Sequence, residues 1–304
     1  MRTHTPLTKQ TLTGLGFVLL GALGFSAKAI FIKLAYAASP EVDALTLMTL
    51  RMLFSLPWFL AVLIWQQTKT TALPLNLRQY LMVLGLGLIG YYVASYLDFL
   101  GLKYISAGLE RVILFSYPTF VVLFSALLFK RKIRAALWLA LLLSYVGMLL
   151  VFYDNLNFAA SGLVTGSALV LASAVVFSFF IMGSGVMIGH LGSARFTAFT
   201  MTVASLATLA HFAVLHPVDI TGFPVNVYFL ALMMALFSTV LPAFFMNAGI
   251  RRIGASPAAI ISTTGPIATL ALAYTFLDEP ITAFQLLGTA FVLAGVYLVS
   301  RSKN

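Results

Sequence analysis

Long apolar runs follow one another along nearly the whole chain of 304 residues. A helix that crosses a bilayer needs about 20 predominantly apolar residues. The runs cover residues 11–36, 44–65, 79–101, 105–129, 133–153, 162–188, 195–215, 226–249, 253–277 and 281–300. The connections between them are short, which leaves no room for a soluble domain. The sequence therefore predicts an all-α integral membrane protein with ten transmembrane helices.

The composition excludes several classes of protein. Hydrophobic residues make up 61% of the chain and charged residues 9%, whereas about a quarter of a typical soluble domain is charged. Without cysteine there is no disulfide framework, thiolate metal site or cysteine nucleophile. The chain also lacks a Walker A sequence, an HExxH motif and histidines at ligand spacing. We therefore expect neither an enzyme nor an ATP-driven pump, and neither a metal nor another cofactor.

The charged residues alternate between the two ends of the predicted helices. Basic residues concentrate in the connections on one side, with Lys130–Lys132 and Arg251–Arg252 as the clearest groups. The other side carries Glu41, Asp43, Asp154, Asp219, Asp278 and Glu279, with Lys103 as its basic exception. Cytoplasmic connections retain lysine and arginine. We therefore attribute the net charge of +10 to membrane topology and not to a nucleic-acid partner. Both termini are expected in the cytoplasm, and the bilayer is expected to be a bacterial inner membrane.

The two halves of the sequence resemble each other. A shift of 148 residues, from Leu102 to Ile250, aligns the two stretches 102–151 and 250–299 without a gap. Pro118 then meets Pro266, and the basic group at 130–132 meets the acidic group at 278–280. Each half contains five predicted helices, and an odd number requires the second half to enter the membrane inverted. The sequence therefore predicts two inverted five-helix repeats, residues 1–153 and 154–304, as in secondary transporters.

Several short motifs together resemble the drug/metabolite transporter superfamily, in particular its EamA-type members with ten helices. They are the stretch 50–54, the stretch 101–108 with Pro118, and the stretch 278–282 with Gly288 and Gly295. The resemblance covers essentially the whole chain. It implies a ten-helix bundle around a central cavity that transports small metabolites, often outward. Gly24–Phe25 and Lys130–Arg131 depart from the family pattern, so no substrate is carried over from it.

Six ionisable residues lie inside the predicted helices, where charge is costly and marks functional candidates. They are Lys28, Lys33, Arg51, Asp98, Glu110 and Arg111. All six fall in the outer half of the first repeat, and their net positive charge suits a carboxylate or phosphate. Lys28 shares a helix face with Gly21 and Gly24, whose small side chains let a neighbouring helix approach. Lys28 then either binds an anionic group or pairs with Asp98.

The other five ionisable residues each have an alternative interpretation. Arg51 suits a substrate carboxylate, or pairs structurally with Asp98 or Glu110, which we slightly favour. Glu110 and Arg111 are adjacent on a helix and are expected to point apart. Lys33 is expected to extend to the outer interface. Asp98 and Glu110 either form permanent ion pairs or exchange protons and couple transport to the proton gradient.

Aromatic and hydroxyl side chains supply the remaining candidates. Tyr92 and Tyr96 flank a polar face of the third helix, where rings with a polar tip contact an amphipathic ligand or simply pack. Prolines interrupt the fourth and ninth helices at matching positions, which points to a transport site with hinges. There Tyr117, Thr263 and Thr264 are the expected substrate contacts. Pro118 and Pro266 are the expected hinges, and Asn247 is a further candidate.

These features together predict a secondary-active transporter that exports small metabolites, amino acids or related compounds, by alternating access. An organic-anion or phosphate exchanger is the alternative that the basic cavity favours, and a membrane enzyme acting on lipids is a third. The expected partners are an anionic or zwitterionic small molecule, the lipid bilayer and protons. The candidate substrate-binding residues are Lys28, Arg51, Tyr92, Tyr96, Asp98, Glu110, Tyr117, Asn247, Thr263 and Thr264.

Overall fold

The structure is a computed structural model. It describes residues 9–68, 75–128, 135–156, 162–215, 219–253, 258, 261–262 and 264–302. Within these ranges the chain is helical and contains no strand. Eight helices are long and apolar enough to cross a membrane, and Thr264–Leu277 and Ala283–Leu298 are shorter apolar helices. The prediction of an all-α integral membrane protein is confirmed at this level.

The helices are α1 (Lys9–Ala38), α2 (Ala44–Gln67), α3 (Leu77–Gly101), α4 (Ala107–Leu128), α5 (Ala135–Leu156), α6 (Leu163–Leu191), α7 (Ser193–Leu215), α8 (Val225–Ile253), α9 (Thr264–Leu277) and α10 (Ala283–Ser302). Residues 258 and 261–262 are also helical and precede α9. Each predicted apolar run corresponds to one of these helices, although part of the run 253–277 lies outside the described residues.

Polar side chains fix where several helices begin. The Asp43 carboxylate accepts hydrogen bonds from the backbone N–H groups of Leu45 and Thr46 at the start of α2. Asn76 and Gln79 form a reciprocal capping box at the start of α3. Such residues satisfy N–H groups that have no partner within the helix. The polar breaks between apolar runs in the sequence therefore coincide with the helix ends.

Three helices are irregular within their length. A π-helical segment occupies Leu88–Val93 in α3, and a second occupies Leu236–Val240 in α8. Their first residues are 148 positions apart, the same shift that aligns the two halves of the sequence. Helix α4 is interrupted by a turn at 115–116, directly before Tyr117 and Pro118. Because π-helical segments are frequent at functional sites, these helices direct attention to the middle of the bundle.

The contacts between helices are symmetric with respect to the two halves of the chain. Helix α1 packs on α8 while α3 packs on α6, and α1 contacts α9 while α4 contacts α6. Helices α2 and α7 pack on each other, as do α5 and α10. If α1 is exchanged with α6, α2 with α7, and so on to α5 with α10, the same set of helix pairs results. The contacts among the described helices are therefore symmetric under this exchange.

Glycines allow the closest helix approaches in this pattern. A Cβ added to Gly101 in α3 would lie 2.9 Å from the carbonyl oxygen of Gly166 in α6. At the position 148 residues later, a Cβ added to Gly249 in α8 would lie 3.0 Å from the carbonyl oxygen of Gly14 in α1. The two helix pairs thus depend on glycine at corresponding places.

The acidic connections meet at one end of the bundle, which we call the acidic end. Thr282 in the α9–α10 connection donates a hydrogen bond to Asp154 at the end of α5. Glu279 in the same connection accepts hydrogen bonds at the start of α4. The opposite end, with Arg251 and Arg252 at the end of α8, is the basic end.

Candidate functional site

A cavity of about 440 Å³ lies between the helices. Its lining comes from α1–α4 and α6–α9, so both halves of the chain contribute. The charged lining residues are Lys28, Arg51, Asp98 and Arg111. A volume of this size falls within the range of small-molecule sites. The cavity is therefore the candidate functional site.

Lys28 of α1 and Asp98 of α3 form an ion pair at the cavity. The Lys28 Nζ lies 2.6 Å from the Asp98 Oδ2, and the Asp98 side chain is only 2% exposed. Gly21 and Gly24 lie against α8, where a Cβ on Gly24 would meet the Pro242 ring at 2.4 Å, as expected from their small size. The other Asp98 oxygen, Oδ1, has no hydrogen-bond partner in the described chain.

Glu110 and Arg111 of α4 form a second ion pair, and the expectation that they point apart is wrong. The Arg111 Nε lies 3.7 Å from the Glu110 Oε2. The Arg111 Nη2 also donates a hydrogen bond of 2.8 Å to the backbone oxygen of Phe25 in α1. Anchoring the guanidinium on α1 brings its Nε back towards Glu110, which the backbone directions alone did not indicate. Glu110 is fully buried behind the cavity.

Among the three cations that line the cavity, Arg51 of α2 forms no ion pair with a carboxylate in the described part of the chain. It is 4% exposed, and its Cζ lies 4.8 Å from the centre of the Phe99 ring. In the part of the chain that the structure describes, neither Nε nor Nη2 has a hydrogen-bond partner. Among the described residues, Asp98 and Glu110 form their ion pairs with Lys28 and Arg111 and not with Arg51, although the charge of Asp98 interacts with that of Arg51.

Aromatic rings form one wall of the cavity. Tyr117 packs edge-on against Phe177 at 5.2 Å, and Phe177 stacks on Phe180 at 5.5 Å. The Tyr91 ring contacts Phe180 at 4.9 Å. We call these four residues the aromatic wall. Phe177 and Phe180 are three residues apart in a uniformly apolar helix, a pattern that did not mark them as site residues.

Tyr92 and Tyr96 do not line the cavity. The Tyr92 hydroxyl lies 2.7 Å from His211 Nδ1 in α7, and the Tyr96 ring packs edge-on against the same imidazole at 5.5 Å. Their neighbours on α3, Tyr91 and Asp98, do reach the cavity. These contacts match the packing interpretation of the two tyrosines.

The remaining candidates are placed as follows. Asn247 lines the cavity and donates a hydrogen bond of 3.0 Å to the Thr197 hydroxyl. Thr264 donates to the backbone oxygen of Ile261 and is not part of the lining, and Thr263 lies outside the described residues. Pro118 follows the turn that interrupts α4, and Pro266 lies at the start of α9. The lining residues Ser238 and Thr239 were not among the sequence candidates, although their hydroxyls lie within an apolar helix.

Comparison with known proteins gives a consistent result. The chain matches the model of the EamA-like transporter family over residues 12–153 and again over 164–301. It is 30% identical over 297 residues to the Bacillus subtilis (strain 168) protein named "Uncharacterized transporter YcbK", covering 95% of this chain and 94% of that protein. An uncharacterized transporter of Synechocystis sp. is 24% identical over 319 residues, covering 98% and 96%. One crystal structure of a protein matches with a TM-score of 0.61 at 20% identity, covering 96% of this chain and 97% of that one. This last likeness concerns the fold alone.

Proposed function

Because this chain belongs to the EamA-like transporter family, we propose that it is a secondary-active transporter that exports amino acids or related small metabolites. The names of its relatives support transport, and the apolar helices support an integral membrane location.

The observation that carries the proposed substrate is the buried guanidinium of Arg51, whose Nε and Nη2 have no hydrogen-bond partner among the described residues. A buried charge without a partner destabilises a protein by several kcal/mol. A substrate carboxylate would supply the missing acceptor, and the planar guanidinium can bind its two oxygens at once. The Asp98 Oδ1, also without a hydrogen-bond partner in the described chain, would accept from a substrate ammonium. An amino acid carries both groups on neighbouring atoms.

The aromatic wall supplies the apolar part of the proposed site. Its rings would contact the substrate side chain while Arg51 and Asp98 hold the charged groups. Pockets for small molecules commonly combine an apolar lining with a few polar groups that fix orientation. This division favours a substrate with one charged end and one apolar end.

Alternating access by rocking of two inverted five-helix repeats is the proposed mechanism. The exchange pattern of helix contacts and the two π-helical segments support this division at 1–153 and 154–304. The turn before Pro118, with Pro266 at the matching position, would act as a hinge. By the distribution of basic residues, we place the basic end and both termini in the cytoplasm of a bacterial inner membrane.

An organic-anion or phosphate exchanger is the second candidate. The three cations Lys28, Arg51 and Arg111 outnumber the two carboxylates Asp98 and Glu110 in this cluster, which favours an anionic substrate. Protons are the proposed coupling ion. Glu110 supports this because its carboxyl is fully buried and interacts with the carboxyl of Asp98, and two neighbouring carboxyls favour the uptake of a proton.

The proposal is tested by counterflow in proteoliposomes with labelled amino acids, organic acids and phosphate. We expect saturable exchange of carboxylates that is reduced about 10- to 100-fold in Arg51→Gln, the loss typical of a hydrogen-bonded charged pair. Arg252→Gln is the matched control, because Arg252 also stacks on a ring, Phe17, at 4.8 Å but lies at the basic end. Equal losses in both variants, phosphate as the preferred substrate, or chemical conversion of the substrate would each contradict the proposal.

A further inference from the structure

Glu279 joins the two halves of the chain at the acidic end. Its Oε1 accepts a hydrogen bond of 2.9 Å from the backbone N–H of Ala107, and its Oε2 one of 3.3 Å from that of Gly108. These are the first two residues of α4, whose N-cap is Ser106. A carboxylate at a helix N-terminus satisfies free N–H groups and interacts favourably with the helix dipole. The second half of the chain thus completes a helix of the first half.

The end of α9 directs Glu279 to this position. Asp278 adopts a left-handed backbone conformation with φ of 54°. The backbone N–H of Glu279 then bonds to the backbone oxygen of Ala273 at 3.3 Å. A left-handed residue directly after the last helical position is a common way to terminate a helix, and here it turns the chain sharply after Leu277. The contact with α4 is therefore built into the helix end and does not depend on a loose loop.

Other hydrogen bonds surround the Glu279 contact. Thr282 Oγ1 donates to Asp154 Oδ2 at 2.6 Å, and Ser106 Oγ donates to Asn155 Oδ1 at 2.9 Å. Lys33 of α1 donates to the backbone oxygen of Ile105 at 3.0 Å, and its charge interacts with that of Glu279. The acidic end is thus tied together across α1, α4, α5 and the α9–α10 connection.

The helix segment that Glu279 holds is part of the cavity wall. It comprises Ala107–Leu114, eight residues between the Glu279 contact and the turn at 115–116. Arg111 and Leu114 on this segment line the cavity. A movement of its first residues would therefore be transmitted directly to the candidate site.

The cavity extends towards the basic end and stops short of the acidic end. Its lining reaches Ile250 and Ala258 near the basic end. Beyond Asp98, the Phe99 side chain is fully buried, and Tyr36 donates a hydrogen bond of 2.8 Å to the Phe99 backbone oxygen. Among the described residues, the lining of this cavity therefore does not reach the acidic end, as in a state that is closed at that end.

We infer that Glu279 keeps the cavity closed at the acidic end. We call its two hydrogen bonds to the start of α4 the Glu279 latch. Its carboxylate holds the first turn of Ala107–Leu114, and it must release this turn before the cavity can open to the acidic end. The inference rests on the proposed alternating access, and it assigns a gating residue that lies outside the substrate site.

The test uses the absence of cysteine from the chain. Ser95→Cys places one thiol in the cavity lining, and a membrane-impermeant maleimide is added from either side of oriented vesicles. We expect Glu279→Gln to increase labelling from the acidic end about three- to tenfold relative to the Ser95→Cys parent, since a charged cap is worth about 1 kcal/mol. Asp278→Asn is the matched control, because it removes the neighbouring charge and asparagine tolerates the left-handed conformation.

A second variant removes the donor instead of the acceptor. Ala107→Pro deletes the N–H that Glu279 binds, at a first helical position where proline is well accepted, and it is expected to act in the same direction. Unchanged labelling in both variants, or an equal increase in Asp278→Asn, would overturn the latch. Failure of the proposed function is seen separately, as the absence of any protection of the Ser95→Cys thiol by carboxylates in the parent.

Discussion

The two halves of the cavity share a backbone plan and differ in charge. The first half contributes every charged residue of the described lining, Lys28, Arg51, Asp98 and Arg111. The polar lining residues of the second half include Thr197, Ser238, Thr239, Asn247 and Ser262, all of them neutral. Both halves nevertheless place a π-helical segment beside the cavity. The two halves thus correspond in the position of these segments and differ in the charge of their cavity lining.

Residues at corresponding positions show how far the halves have diverged. A shift of 148 residues places Asp98 on Met246, Arg51 on Phe199 and Leu114 on Ser262. The charged residues Asp98 and Arg51 of the first half therefore correspond in the sequence to apolar residues of the second half. Under the proposed function, the first half would bind the charged end of the substrate, whereas the second half would add neutral hydrogen bonds and the Glu279 latch. The proposed site would then favour one orientation of the substrate.

The largest effect on the free energy of unfolding should come from replacing the charged residues of the Lys28–Asp98 pair by apolar ones, as in the second half. Asp98→Met alone leaves Lys28 without its carboxylate and is expected to lower the free energy of unfolding by about 3–5 kcal/mol. Adding Lys28→Met should restore most of this loss, since an apolar pair often replaces a buried ion pair without penalty. Thermal unfolding of the purified variants in detergent measures both changes.

The same double variant also tests the proposed role of Asp98. It retains Arg51, so simple monocarboxylates should still exchange while amino acids, which need an acceptor for their ammonium group, should not. Retained amino acid exchange would show that Asp98 has no part in binding. A double variant as unstable as Asp98→Met would show that Asp98 stabilises something other than Lys28.

The repeated glycine contacts should give smaller effects that are alike in the two halves. Gly101→Ala brings a Cβ within 2.5 Å of the Val170 side chain, and Gly249→Ala brings one within 2.4 Å of the Val18 side chain. Each substitution overpacks a helix contact and is expected to lower the free energy of unfolding by about 1–3 kcal/mol. Gly185→Ala, with nothing within 4 Å of the added Cβ, is the control. Clearly unequal losses at Gly101 and Gly249 would contradict a shared packing plan.

Most of the fold could be predicted because the bilayer imposes simple requirements on a sequence. Length and apolarity located the helices, and polar residues such as Asp43 and Asn76 marked where they begin. The π-helical segments of α3 and α8 were not predictable, because they depend on how each helix packs on its neighbours. The hydrogen bonds between Glu279 and the start of α4 could not be predicted either, since Glu279 and Ala107 are 172 positions apart.

The sequence predicted which residue types occur in the candidate site, but not which of their side chains contact each other. Intramembrane charge correctly singled out Lys28, Arg51 and Asp98 as cavity residues. The expectation that Glu110 and Arg111 point apart was wrong, because side-chain directions depend on anchors such as the Phe25 backbone oxygen. Tyr92 and Tyr96 looked as suitable as Tyr91, yet their rings pack against His211. Sequence patterns therefore identify which residue types belong in a cavity more readily than which member of a helix turn reaches it.

Substitutions among the neutral residues that the second half contributes to the cavity should have the smallest effect on transport. Asn247→Ala removes a hydrogen bond to Thr197 that is expected to contribute about 1 kcal/mol, so the apparent affinity for a carboxylate should fall about three- to fivefold. Thr197→Val should have a similar effect, and the double variant should be little worse than either single one, because both substitutions break the same bond. Counterflow at several substrate concentrations measures the three variants. A loss in Asn247→Ala as large as that in Arg51→Gln would mean that the charged group of the substrate binds between the halves, and the asymmetry of the cavity would then not set its orientation.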